Sequence, residues 1–344
     1  MKQAVMTAPA KIEFRDVEKP IPGSDEILIQ IKRIGVCGSD IHVYHGTHPY
    51  TGYPVVQGHE VSGVVAEVGS GVQGFSTGDA VTFLPQIACG LCYPCRHGKY
   101  HICDCLKVMG FQSDGAAQEY FAVSADKVLK IPAGISLEEG AMIEPTAVAL
   151  HALGRAELGL EGGVRGKKVV VLGAGPIGNL VAQSAKALGA EKVLITDLSE
   201  YRLQIAQTCG IDAAVNPQSE DLGKAIRRRL GEDGADLIME CVGSEATISD
   251  AVTCARKGST IVVVGVFGKK PLIDLGLVQD RELNLLGTLM YQRKDYEKAI
   301  ELISAGKIKL KELITDTFPF SDYLKAYHHI EKAKDRAIKV MIAL

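Results

Sequence analysis

Apolar and polar positions follow two different rhythms along this chain. In residues 1–150 they come in short strand-length runs, such as Glu26-Ile27-Leu28-Ile29-Gln30-Ile31-Lys32, separated by glycine-rich turn signals. Half-buried strands of an antiparallel sheet leave this pattern, one face packed and the other wet. From about Lys167 short apolar runs at 168–172, 192–196, 213–215, 235–240 and 260–264 alternate with stretches of helical spacing, among them 177–188. Strands separated by helices of that length form right-handed βαβ units, and hence a parallel, doubly wound sheet.

After Gly287 the pattern is helical over 296–306, then mixed, and ends in a strand-like run at 337–342. That tail adds no further βαβ unit, so it is expected to rejoin the first domain. The expected organisation is α/β: a β-rich domain from 1–150 and 288–344, with a nucleotide-type domain from 151–287 inserted between. The glycines at 159, 162, 163 and 166 mark the linker into it.

A chain of 344 residues suits two cores better than one. With 47% hydrophobic and 23% charged residues and a net charge of -3, it has neither the basic surplus of a nucleic-acid-binding protein nor the polarity of a disordered one. Arg227-Arg228-Arg229 has helical spacing and reads as a solvated helix face. The longest apolar runs, such as 261–264, fall far short of a membrane span. The start, MKQAVMTAPAKIEF, lacks the charged, long-apolar and cleavage-site regions of a secretion signal. A cytoplasmic protein without nucleic-acid or membrane partners is expected. In that compartment nine cysteines, an odd number, favour metal-bound thiolates over disulfides.

The segment Val169-Val170-Val171-Leu172-Gly173-Ala174-Gly175-Pro176-Ile177-Gly178 sets G-x-G-x-x-G directly between an expected strand and an expected helix. Gly173 allows the tight turn, Gly175 lets the backbone approach a pyrophosphate, and Gly178 permits close helix packing. The phosphates would sit on the helix N-terminus. Asp197 ends the next strand, where a carboxylate accepts both ribose hydroxyls and repels a 2′-phosphate, which points to NAD over NADP. Pro176, Ile177 and Arg202 complete the candidate cofactor contacts.

Cys89, Cys92, Cys95 and Cys103 form C-x2-C-x2-C-x7-C. Four thiolates so closely spaced can wrap one tetrahedral ion, the mark of structural zinc. An iron-sulfur cluster is the alternative, although the short last spacing and following proline of a ferredoxin run are missing. Cys105 stands close enough to compete as a ligand. Earlier in the chain Cys37-Gly38-Ser39-Asp40-Ile41-His42 follows an expected strand, and Gly58-His59-Glu60 opens a glycine-patterned stretch. A thiolate, an imidazole and a carboxylate can hold a catalytic zinc and leave its fourth position open.

Together with G-H-E-x2-G-x5-G-x2-V from Gly58 to Val72, these segments resemble the zinc-containing medium-chain alcohol dehydrogenase family over essentially the whole chain. The resemblance implies a GroES-like β domain with a Rossmann domain inserted before its last segment. It assigns Cys37 and His59 as zinc ligands and Asp40 as the partner that orients His59. Glu60 would be a third, while Glu144 of Glu144-Pro145-Thr146-Ala147-Val148 would either bind the metal or hold its water; both stand as candidates. Ser39 matches the hydroxyl that contacts the reacting alcohol, and His42 the end of the proton relay.

Two zinc ions, one catalytic and one structural, and NAD are the implied cofactors, with a homodimer or homotetramer as the implied assembly. The implied reaction is oxidation of a secondary alcohol to a ketone with hydride transfer to NAD. The Glu144 segment is similar to those of sorbitol and butanediol dehydrogenases, so a polyol, cyclitol or diol is the leading substrate class. Met290 stands where sorbitol dehydrogenases carry arginine, which keeps a threonine-type or simple secondary alcohol open. His45, His48, Tyr50 and Phe111 are candidate pocket residues or plain packing. Two remoter classes are a zinc-less quinone or enoyl reductase and a non-catalytic NAD-binding protein. The first lacks the ligands present here, and the second would have no use for Cys37, Ser39, His42, His59 and Glu144.

Overall fold

The run at 26–32 begins the longest strand of the chain, Glu26–Val36, whose Ile27, Leu28, Ile29, Ile31 and Ile34 are almost wholly buried. Side chains of this kind contribute about 1.5–3 kcal/mol each when fully removed from water. In the computed structural model, which describes all residues from 1 to 344, this strand is the axis of a seven-stranded sheet. It pairs antiparallel with Glu60–Val68, with Tyr120–Ser124 near its start, and with Lys339–Ala343 near its end. The expected return of the tail is thus realised as a strand beside Glu26–Val36, with Val340 opposite Val36. Ile314–Pro319 extends the sheet parallel to it, and helix Tyr323–Ala333 connects these two last strands.

By contact the chain divides into two units, Met1–Glu144 with Ile314–Leu344, and Pro145–Leu313. The first division therefore lies within helix Ile143–Ala156, ahead of the glycine-marked linker. Residues 288–313, assigned above to the returning tail, go with the second unit for a packing reason. Helix Arg293–Ser304 buries Tyr296, Ala299, Leu302 and Ile303, and its Asp295 meets Nδ1 of His151 at 2.9 Å. Further on, the backbone N–H of Lys309 donates to Gln183 at 2.7 Å.

The second unit is a six-stranded parallel sheet in the spatial order Ala213–Val215, Lys192–Thr196, Lys168–Leu172, Leu237–Glu240, Thr260–Val263, Asn284–Gly287. The strand order reverses between Lys168–Leu172 and Leu237–Glu240, which is where a doubly wound sheet binds nucleotides. Five of these strands coincide with the expected runs. The sixth was not among them, because Asn284–Gly287 is a half-exposed edge strand of four residues with a polar first position. Helix Pro176–Ala187 packs Leu180, Val181, Ala182 and Ala185 fully out of water. Helix Leu222–Leu230 carries the three arginines, and Arg228 and Arg229 pair with Glu220.

Candidate active site and metal centres

The antiparallel pairing of Glu26–Val36 with Glu60–Val68 sets Gly35 opposite Glu60 and brings Cys37, just past one strand, beside His59, just before the other. Glycine is required at 35, since a Cβ there would overlap the Glu60 carboxylate. Ligand atoms of Cys37, His59 and Glu60 lie within 4.8 Å of one another. Cys37 is the N-cap of helix Gly38–Tyr44, and Asp40 in its first turn accepts the Cys37 N–H at 2.9 Å. Ser39 and His42, three residues apart, share a face of that helix, with Ser39 half-buried and His42 exposed.

Asp40 and His59 are both buried, with Asp40 Oδ1 and His59 Nδ1 3.6 Å apart and neither atom otherwise hydrogen-bonded. A ring held this way has its other nitrogen, Nε2, available for a metal. Burial alone would lower the pKa of His59, but the Asp40 carboxylate, Cys37 and Glu144 outweigh it and push it up to about 10. The surroundings of His59 thus favour a positive charge at this spot. Burial raises the pKa of Asp40, against the opposing pull of His59 and of the Cys37 N–H.

The second cluster is the lobe carrying Cys89, Cys92, Cys95 and Cys103, whose sulfurs also fall within 4.8 Å of one another. Cys92 and Cys103 are 3.7 Å apart. Four sulfurs about 2.3 Å from one zinc would be separated by about 3.8 Å, so the spacing suits a single tetrahedral ion better than a cluster. Backbone N–H groups of Leu91 and Cys92 donate to Cys89, and those of Cys89 and Cys105 donate to Cys103. The bonds from Leu91 and Cys92 lower the pKa of Cys89 to about 6, whereas burial pushes Cys95 up to about 12. Cys105 thus supports the lobe through its backbone, and its exposed sulfur stands outside the four-sulfur group.

In the second unit Gly175 is the N-cap and Pro176 the first residue of helix Pro176–Ala187. Gly173 has φ of 99°, and a Cβ at Gly178 would overlap the Gly173 carbonyl oxygen, so strand, turn and helix touch only as glycines. Nothing but Arg202, at 3.9 Å, approaches the position of a Cβ on Gly175, which leaves that backbone open to a phosphate. Asp197 accepts the N–H of Ala174 at 2.8 Å and of Ser199 at 2.9 Å, and Arg202 lies 3.9 Å from it.

Two family profiles match: "Alcohol dehydrogenase GroES-like domain" over residues 23–133 and "Zinc-binding dehydrogenase" over 176–305. The chain is 39% identical to the 2-dehydro-3-deoxy-L-galactonate 5-dehydrogenase of Pseudoalteromonas atlantica, over 90% of its own length and 89% of that protein's. It is 35% identical to a sorbitol dehydrogenase of Halalkalibacterium halodurans, over 99% of both. The chain belongs to the zinc-dependent medium-chain alcohol dehydrogenases. Within that family it sits with the polyol branch. Among solved structures, this dehydrogenase superposes on an alcohol dehydrogenase of Escherichia coli crystallised with NADH, with a TM-score of 0.91 at 31% identity, covering 100% of this chain and 99% of the other.

One residue of the dehydrogenase's site escaped the sequence reading. Lys339 is buried and donates to both oxygens of Glu60, at 2.7 and 2.6 Å, and to the Val36 carbonyl at 3.2 Å, so all three of its hydrogens are used. Burial lowers its pKa, but Glu60 and Cys37 outweigh that and raise it. Its signal was present: a lysine inside the otherwise apolar run Ala337-Ile338-Lys339-Val340-Met341-Ile342 needs a buried counter-charge. Glu144, in the first turn of helix Ile143–Ala156, is buried and close enough to influence both His59 and Lys339.

Proposed function

We propose that this dehydrogenase oxidises one secondary hydroxyl of a polyhydroxylated substrate to a ketone and passes the hydride to NAD. The observation that carries the reading is the gathering of half-buried Cys37 with buried His59 and Glu60, and Asp40 behind the His59 ring. A sulfur and a nitrogen donor, completed by a carboxylate from Glu60 or Glu144, fit a catalytic zinc. Glu60 lies nearer to Cys37 and His59, but Lys339 occupies both of its oxygens, which supports Glu144 as the third protein ligand. The four-cysteine lobe would hold a second, structural zinc, and the 3.7 Å sulfur separation supports it.

Bound at Cys37 and His59, zinc supplies a Lewis acid that polarises the alcohol hydroxyl. Asp40 keeps the His59 ring oriented. The Ser39 hydroxyl takes the substrate proton and hands it toward His42 at the surface, from where it leaves to water. NAD held at the Gly173–Gly178 turn would supply the hydride acceptor, so that alcohol and NAD⁺ would give ketone, NADH and one proton. The Asp197 carboxylate, fixed by two backbone N–H groups, supports NAD over NADP. The family resemblance likewise supports a homodimer or homotetramer, and four closely spaced thiols suited to a metal support a reducing, cytoplasmic setting. No helix is long and apolar enough to cross a membrane.

Met290 is held at φ of 52° where sorbitol dehydrogenases carry arginine, which favours substrates other than sorbitol itself. The relative that acts on 2-dehydro-3-deoxy-L-galactonate favours a second reading, a sugar acid. A spectrophotometric screen with NAD and NADP over polyols, diols, cyclitols, sugar acids, threonine and simple secondary alcohols tests both, alongside metal analysis. Turnover of a polyol or sugar acid with NAD and two zinc ions per chain is expected. Full activity in a metal-free protein refutes the catalytic zinc, and a higher kcat/KM with NADP refutes the cofactor assignment.

A further inference from the structure

Behind the catalytic cluster lies a hydrogen-bonded pair that the proposed chemistry does not use. Gln57 and Tyr327 are both buried, among Val36, Val43, Tyr44, Val55, Val56 and Val340. In such surroundings a leucine and a phenylalanine would pack at no polar cost, whereas an amide and a phenol must be hydrogen-bonded to be tolerated. They are. The Tyr327 hydroxyl donates to Gln57 Oε1 at 2.6 Å, and Gln57 Nε2 donates to the Asp40 carbonyl at 3.2 Å.

The placement matters because each bond ends on a different ligand-bearing segment. Gln57 stands two residues before His59, and the Asp40 carbonyl belongs to the helix capped by Cys37. The opposite side of the 56–58 backbone is already fixed: Gly115, Ala117 and Ala116 donate to the carbonyls of Val56, Gln57 and Gly58 at 2.7, 2.8 and 2.9 Å. The Gln57 side chain ties that anchored segment to the helix. Tyr327, from the returning helix Tyr323–Ala333, stacks beside Tyr44 with centroids 5.0 Å apart and fixes which way the amide points.

We propose that Gln57 and Tyr327 are positioning residues that set the separation of Cys37 and His59, and with it the geometry of the metal they hold. The proposal rests on the reading of that cluster as a zinc site. Burial raises the Tyr327 pKa well above its ordinary value, so the phenol remains a donor throughout the working range. Partners one step removed from a metal are typically worth about 10- to 100-fold in metal affinity or activity.

The test uses the full-length enzyme with cobalt(II) at the catalytic position and zinc left in the four-cysteine lobe. Two quantities are read, the cobalt absorption bands and the rate at which a chelator removes the cobalt. Tyr327→Phe, which keeps the ring and loses the bond to Gln57, should shift the bands and speed removal by about tenfold. Gln57→Met, which loses both bonds, should do more. Ile342→Val trims the same core and serves as the control: it should lower the melting temperature and leave both readouts unchanged.

Unaltered bands and removal rates in Tyr327→Phe and Gln57→Met overturn the proposal, as does an equal change in Ile342→Val. A wild-type enzyme that takes up no cobalt at Cys37 and His59 overturns the zinc reading and this inference together.

Discussion

Replacing Lys339 by Met removes the ammonium that pairs with the Glu60 carboxylate, a group that is itself 1% exposed. Methionine matches the stem of lysine in length and apolar character, so the change isolates the ammonium. Breaking a buried ion pair at one partner typically costs about 3–5 kcal/mol, because the remaining charge is left without compensation. In a domain of roughly 150–250 residues each kcal/mol lowers the melting temperature by about 2–4 °C, which gives an expected fall of about 6–20 °C. The fall should be largest in chelator-treated protein, since zinc at Cys37 and His59 supplies a cation to the same pocket. Scanning calorimetry on Lys339→Met, Glu60→Gln and the double variant, each with and without zinc, measures it. The double variant buries no charge at this pair and should be far less destabilised than the two single effects added together. Strict additivity, or a loss below about 1 kcal/mol in Lys339→Met, the level of an exposed ion pair, would refute the account of Glu60 as a captive carboxylate.

Cys92→Ser should reduce the zinc content from two ions per chain to one while alcohol oxidation persists at low temperature; metal analysis that still finds two ions sinks the structural assignment. Asp197→Ala removes the acceptor of two backbone N–H groups and the expected partner of the ribose. The ratio of kcat/KM for NAD over NADP should fall at least about tenfold, about one charge-assisted hydrogen bond, and an unchanged ratio counts against its role. His59, with its pKa pushed up to about 10, carries a proton at neutral pH that zinc must displace. Apparent zinc affinity at this site should therefore rise about tenfold per pH unit for each proton released, from neutral pH upward, and level off near pH 10. Competition with a chelator across that range reads the slope, and a flat profile contradicts it.

Much of this architecture could be read from residue order because it rests on local signals. The strands at 168–172 and 192–196 carry short apolar, buried runs after a first lysine, and the Gly173–Gly178 turn is dictated by close approach of backbones. The four cysteines lie within fifteen residues, so chain connectivity already confines them to one lobe. What resisted reading depends on long-range pairing. Residues 288–313 join the second unit through contacts such as His151 with Asp295 and Gln183 with Lys309, which no local pattern announces. Lys339 and Tyr327 look like an ordinary strand lysine and an ordinary helix tyrosine until Glu60 and Gln57, each about 270 residues earlier or more, are placed against them. The proposal of Glu144 over Glu60 rests on that lysine.

The return of the tail also orders events during synthesis. Glu60 and Lys339 are 279 residues apart, and a ribosome adding about 5–20 residues per second needs roughly 15–55 s to cover that distance. For that interval Cys37, His59 and Glu60 exist without the strand and helix that brace them, while the whole parallel-sheet unit is made in between. A truncated chain ending before Ile314 could close its nucleotide fold and still never own a finished metal site. The returning strand is thus the segment that decides when the nascent polypeptide can brace Glu60 and its neighbours.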